Sequence, residues 1–187
     1  MSALQNSDEK EFAPMSNCEQ TIQHVIQQAI EAENQSRHVY IQFSQMFSHV
    51  PDVAGFWQDL AYDEAKHAYT LKKTQDSLST EQLAFPADRK LLRSVEKTKL
   101  FLSRISISTI RSLDDAYELA HELEFSELNY IFKCVAGDFI RQDEKKKIIF
   151  NEIEEHQRKL VDFTENFGDR VWRGQILTRS ANPVSSG

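Results

Sequence analysis

Seven residues have the types and spacing to do chemistry together: Glu33, then Glu64 with His67, then Glu124 with Glu127, then Glu152 with His156. Each set interrupts a stripe of apolar residues recurring every three or four positions, so the side chains point where a helix would bury its face. A buried carboxylate costs several kcal/mol unless it is paired, so its recurrence on four stripes asks for a compensating charge. Glu64 and His67 lie one helical turn apart and can offer an oxygen and a nitrogen to one ion. A bound cation would neutralise the carboxylates while the imidazoles stay neutral donors. The two cysteines, Cys18 and Cys134, form no metal knuckle, so the donors must be oxygen and nitrogen. Such a set suits iron or manganese, and zinc could also occupy it.

Four long helices are needed to position these residues. Ser16 with Glu19 is a capping-box signature for the first, whose apolar positions are Ile22, Ile26, Ala29, Ile30, Tyr40, Phe43 and Phe47. Asp52, after Pro51, can cap a second helix carrying Val53, Trp57, Leu60, Leu71 and Thr74 beside Glu64 and His67. Residues 76–85 read as a turn, and Ala87 to Arg104 as an additional helix with Leu91, Leu92, Val95, Leu100 and Phe101 inward. Ser112 and Asp115 cap a helix that runs past Glu124 and Glu127 towards Gly137, and the last helix spans Gln142 to Phe167, stopped by Gly168.

Two helical hairpins joined by a long crossover define an all-α, ferritin-like four-helix bundle, expected over residues 17–168. Residues 1–16 are expected to be flexible. In the tail, residues 169–187, Val171, Trp172, Ile176 and Leu177 are apolar enough to pack back on the body. Bundles of this kind hold two iron ions with a glutamate from each of two helices and Glu-x-x-His from each of the other two.

The net charge of −7 argues against a nucleic-acid partner. No apolar run reaches the roughly 20 residues needed to span a membrane, and the acidic start is unlike a signal peptide, so a cytoplasmic location is expected.

The local sequences resemble the rubrerythrins. Glu33-Asn34-Gln35-Ser36-Arg37-His38-Val39-Tyr40 is similar to their first-helix motif, Asp63-Glu64-Ala65-Lys66-His67 to their second-helix Glu-x-x-His, and Glu124-Phe125-Ser126-Glu127 to their third-helix pair of glutamates. The resemblance covers about residues 17–167. It implies that Glu33, Glu64, His67, Glu124, Glu127 and His156 are ligands to two iron ions, with Tyr40 hydrogen-bonded beside them. It also implies reduction of peroxide or dioxygen, with Glu127 as a mobile ligand.

Two departures stand out. Where the family's fourth helix has Glu-x-x-His, this chain has Ile153, and the nearest inward carboxylate is Glu152, four residues before His156. Either Glu152 takes that role or one ion is held by fewer ligands. Two separated cysteines cannot build a rubredoxin-type iron site, so electrons are expected from an external donor protein. A homodimer is the assembly expected of a redox enzyme, whereas a twelve- or twenty-four-subunit shell would favour ferroxidase and iron storage. A bundle with a degenerate polar stripe is the non-catalytic alternative.

Overall fold

The computed structural model describes residues 21–171, including every side chain in that span except those of Glu127 and residues 164–171. The elements in chain order are α1 (Ile22–Met46), α2 (Pro51–Ser77), a one-turn α3 (Thr80–Leu83), α4 (Arg89–Ser103), a 3-10 turn (Ile107–Thr109), α5 (Leu113–Glu124), α6 (Glu127–Phe139) and α7 (Asp143–Val171). No strand occurs among the described residues. None of these helices is long and apolar enough to cross a membrane.

Local chemistry explains the helix boundaries. Thr21 is extended and its hydroxyl accepts from the His24 amide, so α1 starts at Ile22, later than the Ser16 signature suggested. Ser16 itself lies outside the described residues. The Ile22 amide also donates to the Phe85 carbonyl at 2.9 Å, which ties the start of α1 to the chain just beyond α2. Val50, not Asp52, takes the cap position of α2: preceding a proline it is held extended, and Pro51 occupies the first helical position. Asp52 then sits in the first turn, where a negative charge favours the helix dipole. Within the expected turn, Ser79 and Gln82 form a reciprocal capping box that starts α3, and Asp88 caps α4.

The third main helix is not continuous. It divides into α5 and α6 at Phe125 and Ser126, with Ser126 extended and its hydroxyl accepting from the Leu128 amide at 3.2 Å. Gly137 does not end α6, which continues to Phe139, and Gly168 does not end α7, which continues to Val171. A glycine inside a helix costs only about 1 kcal/mol, which tertiary packing readily offsets. The packing proposed for Trp172, Ile176 and Leu177 lies outside the described residues.

α1 and α2 form the principal antiparallel hairpin, α5 with α6 and then α7 form the second, and α4 lies across α1 and α6. Leu91, Leu92 and Val95 of α4 are buried, whereas Leu100, expected inward, is 51% exposed. The core has two apolar parts. One contains Phe43, Trp57, Leu60, Ala116, Leu160 and Phe163; the other contains Ile26, Leu71, Leu91, Ile131, Phe132 and Ile153. A layer of buried polar side chains lies among them.

Candidate metal centre

The polar layer is built from five residues of four helices. Glu33 comes from α1, Glu64 and His67 from α2, Glu124 from the last position of α5 and His156 from α7; none is more than 5% exposed. They form two groups. Ligand atoms of Glu33, Glu64 and His67 lie within 4.8 Å of one another, and so do those of Glu64, Glu124 and His156.

Glu64 belongs to both groups and turns one oxygen to each. Its Oε2 is 3.1 Å from His67 Nδ1, and its Oε1 is 3.4 Å from His156 Nε2. Glu33 Oε2 closes the first group at 3.7 Å from His67 Nδ1, and Glu124 Oε1 closes the second at 2.7 Å from His156 Nε2. The imidazole rings of His67 and His156 stand 5.4 Å apart. Tyr40 donates its hydroxyl hydrogen to Glu124 Oε1 at 2.5 Å, and its ring stacks on Trp57.

The donor set fits a pair of cations. Both ring nitrogens of His156 are buried and face carboxylates without a well-aligned hydrogen bond, which leaves Nε2, 2.7 Å from Glu124 and 3.4 Å from Glu64, placed to coordinate a metal beside them. The electrostatics point the same way. Burial, reinforced by the charge of Glu33, pushes the Glu64 carboxyl up to about 7, and burial raises Glu124 as well. Burial disfavours a charged His67, yet its contacts with Glu33 and Glu64 outweigh that and lift it to about 10. His156 rises well above the ordinary range because Glu124, Asp63 and Glu64 overcome its burial. Without metal, the layer therefore holds protons where cations would otherwise balance the carboxylates.

Tyr40 is held well above its ordinary value, first by burial and then by the negative charges of Glu124 and Glu64. It stays a neutral donor.

The break between α5 and α6 adjoins this layer. It frees the Glu124 carbonyl, which accepts from the side-chain amides of Asn129 at 2.5 Å and Gln157 at 3.0 Å. Glu124 is thereby fixed at a helix end by residues of both α6 and α7.

Of the residues singled out from the sequence, Glu33, Tyr40, Glu64, His67, Glu124 and His156 come together. Glu152 does not join either metal-binding group: it remains half-buried, while Ile153 is 1% exposed in the apolar core with Ile131 and Phe132. Glu127 opens α6, and its side chain is outside the described ones.

Sequence reasoning missed Asp63. This carboxylate is 5% exposed and accepts from Lys159 Nζ at 2.5 Å and Lys66 Nζ at 3.0 Å, with His156 Nδ1 3.4 Å away. Burial opposes its ionisation, but these three cationic neighbours outweigh it and hold the carboxyl well below the usual range. Its position, three residues after Leu60 and four before His67, was the available signal.

Helical hairpins, a long crossover and a buried carboxylate–histidine layer that could hold metal ions define a ferritin-like bundle. A family model described as Rubrerythrin matches residues 24–155, and the chain belongs to the rubrerythrin family, whose ferritin-like domain is of the di-iron type. No match was found among curated proteins or solved structures.

Proposed function

We propose that the chain is a non-haem di-iron oxidoreductase that reduces peroxide, with electrons delivered by a separate donor protein. Glu64 carries this reading, because its two oxygens face different imidazoles and one carboxylate can therefore serve two adjacent ions. Glu33 and His67 would hold one ion, Glu124 and His156 the other. A ferrous pair bound there would supply one electron per ion, which with two protons converts hydrogen peroxide into two waters.

The protein's part is positioning and exclusion of water. Tyr40 keeps its proton and directs it to Glu124 Oε1, so the carboxylate has one oxygen oriented from α1 while its backbone is held from α6 and α7. Asp63 faces the outer nitrogen of His156, which leaves Nε2 directed at Glu64 and Glu124. The surrounding apolar side chains lower the local dielectric and strengthen every charge interaction inside. Glu127 is assigned the role of a ligand that shifts during turnover, and dioxygen is the alternative oxidant.

The test is anaerobic loading with ferrous iron, followed by stopped-flow mixing with hydrogen peroxide. The expected result is two irons per chain, oxidised together by one equivalent of peroxide. Protein that remains iron-free, or whose iron reacts no faster than free ferrous ion, would sink the proposal.

A further inference from the structure

A cleft of about 770 Å³ is bordered by the C-terminal half of α2, the turn between α6 and α7 and the start of α7. Its rim carries Lys73, Arg141 and Lys145, all exposed, and no Asp or Glu is among its lining residues. In a chain of net charge −7, this cleft is lined by three cations and by no carboxylate, so its lining is locally positive.

The same cleft gathers apolar surface. Tyr69 and Ile148, both lining it, are 62% and 57% exposed and rank among the large hydrophobic residues left open to water. Ile140 and Ile149 also line it, and the Lys73 ammonium lies 5.4 Å from the centre of the Tyr69 ring. The volume falls within the ordinary range for small-molecule sites, which combine an apolar lining with a few placed polar groups.

From these features we infer that the cleft binds a small amphipathic anion, a carboxylate on an aliphatic or aromatic body. Lys73, Arg141 and Lys145 receive the head, and Tyr69, Ile140 and Ile148 receive the body. A compact inorganic anion would leave the apolar lining unused, and an uncharged apolar molecule would leave the cations unpaired. The site is separate from the carboxylate–histidine layer: none of its lining residues belongs to either metal-binding group.

The experiment is isothermal titration of the full-length chain with sodium decanoate, hexanoate and decyltrimethylammonium. Saturable binding of one decanoate is expected. Each methylene removed on going to hexanoate should weaken binding by roughly four-fold if the tail is buried, and the cationic amphiphile should not bind at this site. Lys73→Glu with Arg141→Glu should weaken decanoate by at least ten-fold while leaving bound metal unchanged; because both side chains are exposed, the variant should keep its helical circular dichroism. Equal affinity of the variant for decanoate, or equal affinity of the parent for the cationic amphiphile, would overturn the assignment. A variant that lost its helical signal would be replaced by Lys73→Gln with Arg141→Gln, for which the same ten-fold criterion holds.

Discussion

Glu64→Gln should do two opposite things at once. In the metal-free protein the native carboxyl is held at about 7, mainly by burial and the charge of Glu33, compared with an ordinary value of 4.5. A carboxyl whose pKa rises on folding binds more protons in the folded than in the unfolded chain, so its contribution to stability falls as pH climbs from about 4.5 through 7. At pH 7 that corresponds to a cost of about 3 kcal/mol relative to a neutral group, less what His67 loses when its partner changes. The near-isosteric amide removes the cost. The variant's midpoint without metal should therefore rise, by up to roughly 6–12 °C for a domain of this size.

With metal the order reverses. The parent should gain about 2.7 kcal/mol for each ion bound at a free-metal concentration one hundred times Kd, whereas the variant, having lost the carboxylate common to both groups, should gain almost nothing. Glu33→Gln and Glu124→Gln each touch one group, so each should retain one metal of two. Differential scanning calorimetry with chelator and with manganous ion, paired with equilibrium dialysis, measures both effects. If Glu64→Gln still bound two equivalents, or if it lowered the metal-free midpoint by many degrees, Glu64 would not be a shared ligand in a strained carboxylate layer.

Other consequences are more local. Asp63→Asn should weaken metal binding about 10- to 100-fold through loss of the carboxylate facing His156 Nδ1, with circular dichroism unchanged; undiminished affinity in a competition titration would remove Asp63 from the site. Glu152→Gln should leave the metal content at the parent's value, since Glu152 joins neither group; loss of one ion on dialysis would bring it back as a ligand. Asp115 accepts from the amides of Arg111 and Ser112, and these bonds, led by Arg111, outweigh the opposing effect of burial and lower its pKa. That stabilisation is present above its unfolded pKa and is lost as pH falls through the folded one. Asp115→Asn should thus cost a few tenths of a kcal/mol at pH 7, the interaction being screened by solvent, and the difference should vanish at pH 2 in urea melts.

The residues that could be read from the sequence shared one property: they were polar where the helical period demanded apolar. Glu33, Glu64, His67, Glu124 and His156 each break a stripe that is otherwise buried, and period alone therefore placed them inside. The division at Phe125 and Ser126 was hidden because the apolar period continues through it to Ile131, and no glycine or proline marks it. Ser126 was the one cue, a residue type that caps helices, and its meaning depends on whether the freed Glu124 carbonyl finds donors. Those donors, Asn129 and Gln157, come from positions 5 and 33 residues away, the second beyond any local rule. Asp63 was hidden for a similar reason. A carboxylate beside an inward one usually faces solvent, and its burial depends on Lys159, 96 residues distant.

The fourth helix shows how the apolar core and the polar layer compete for the same turn. Ile153 occupies the place three residues before His156 and fills the core with Ile131 and Phe132, so α7 gives the layer a nitrogen and no matching carboxylate. For a ferrous pair the count of charges falls one short: Glu33, Glu64 and Glu124 supply three negative charges against four positive ones, and one further carboxylate would neutralise the pair. Glu127, on the first turn of α6 beside the helix break, is the candidate that the family pattern places there. If Glu127 supplies that charge, the fourth carboxylate comes from α6 and not from α7. Glu127→Gln should reduce the affinity for the second ion more than for the first, and equal loss at both would show that the missing charge comes from elsewhere.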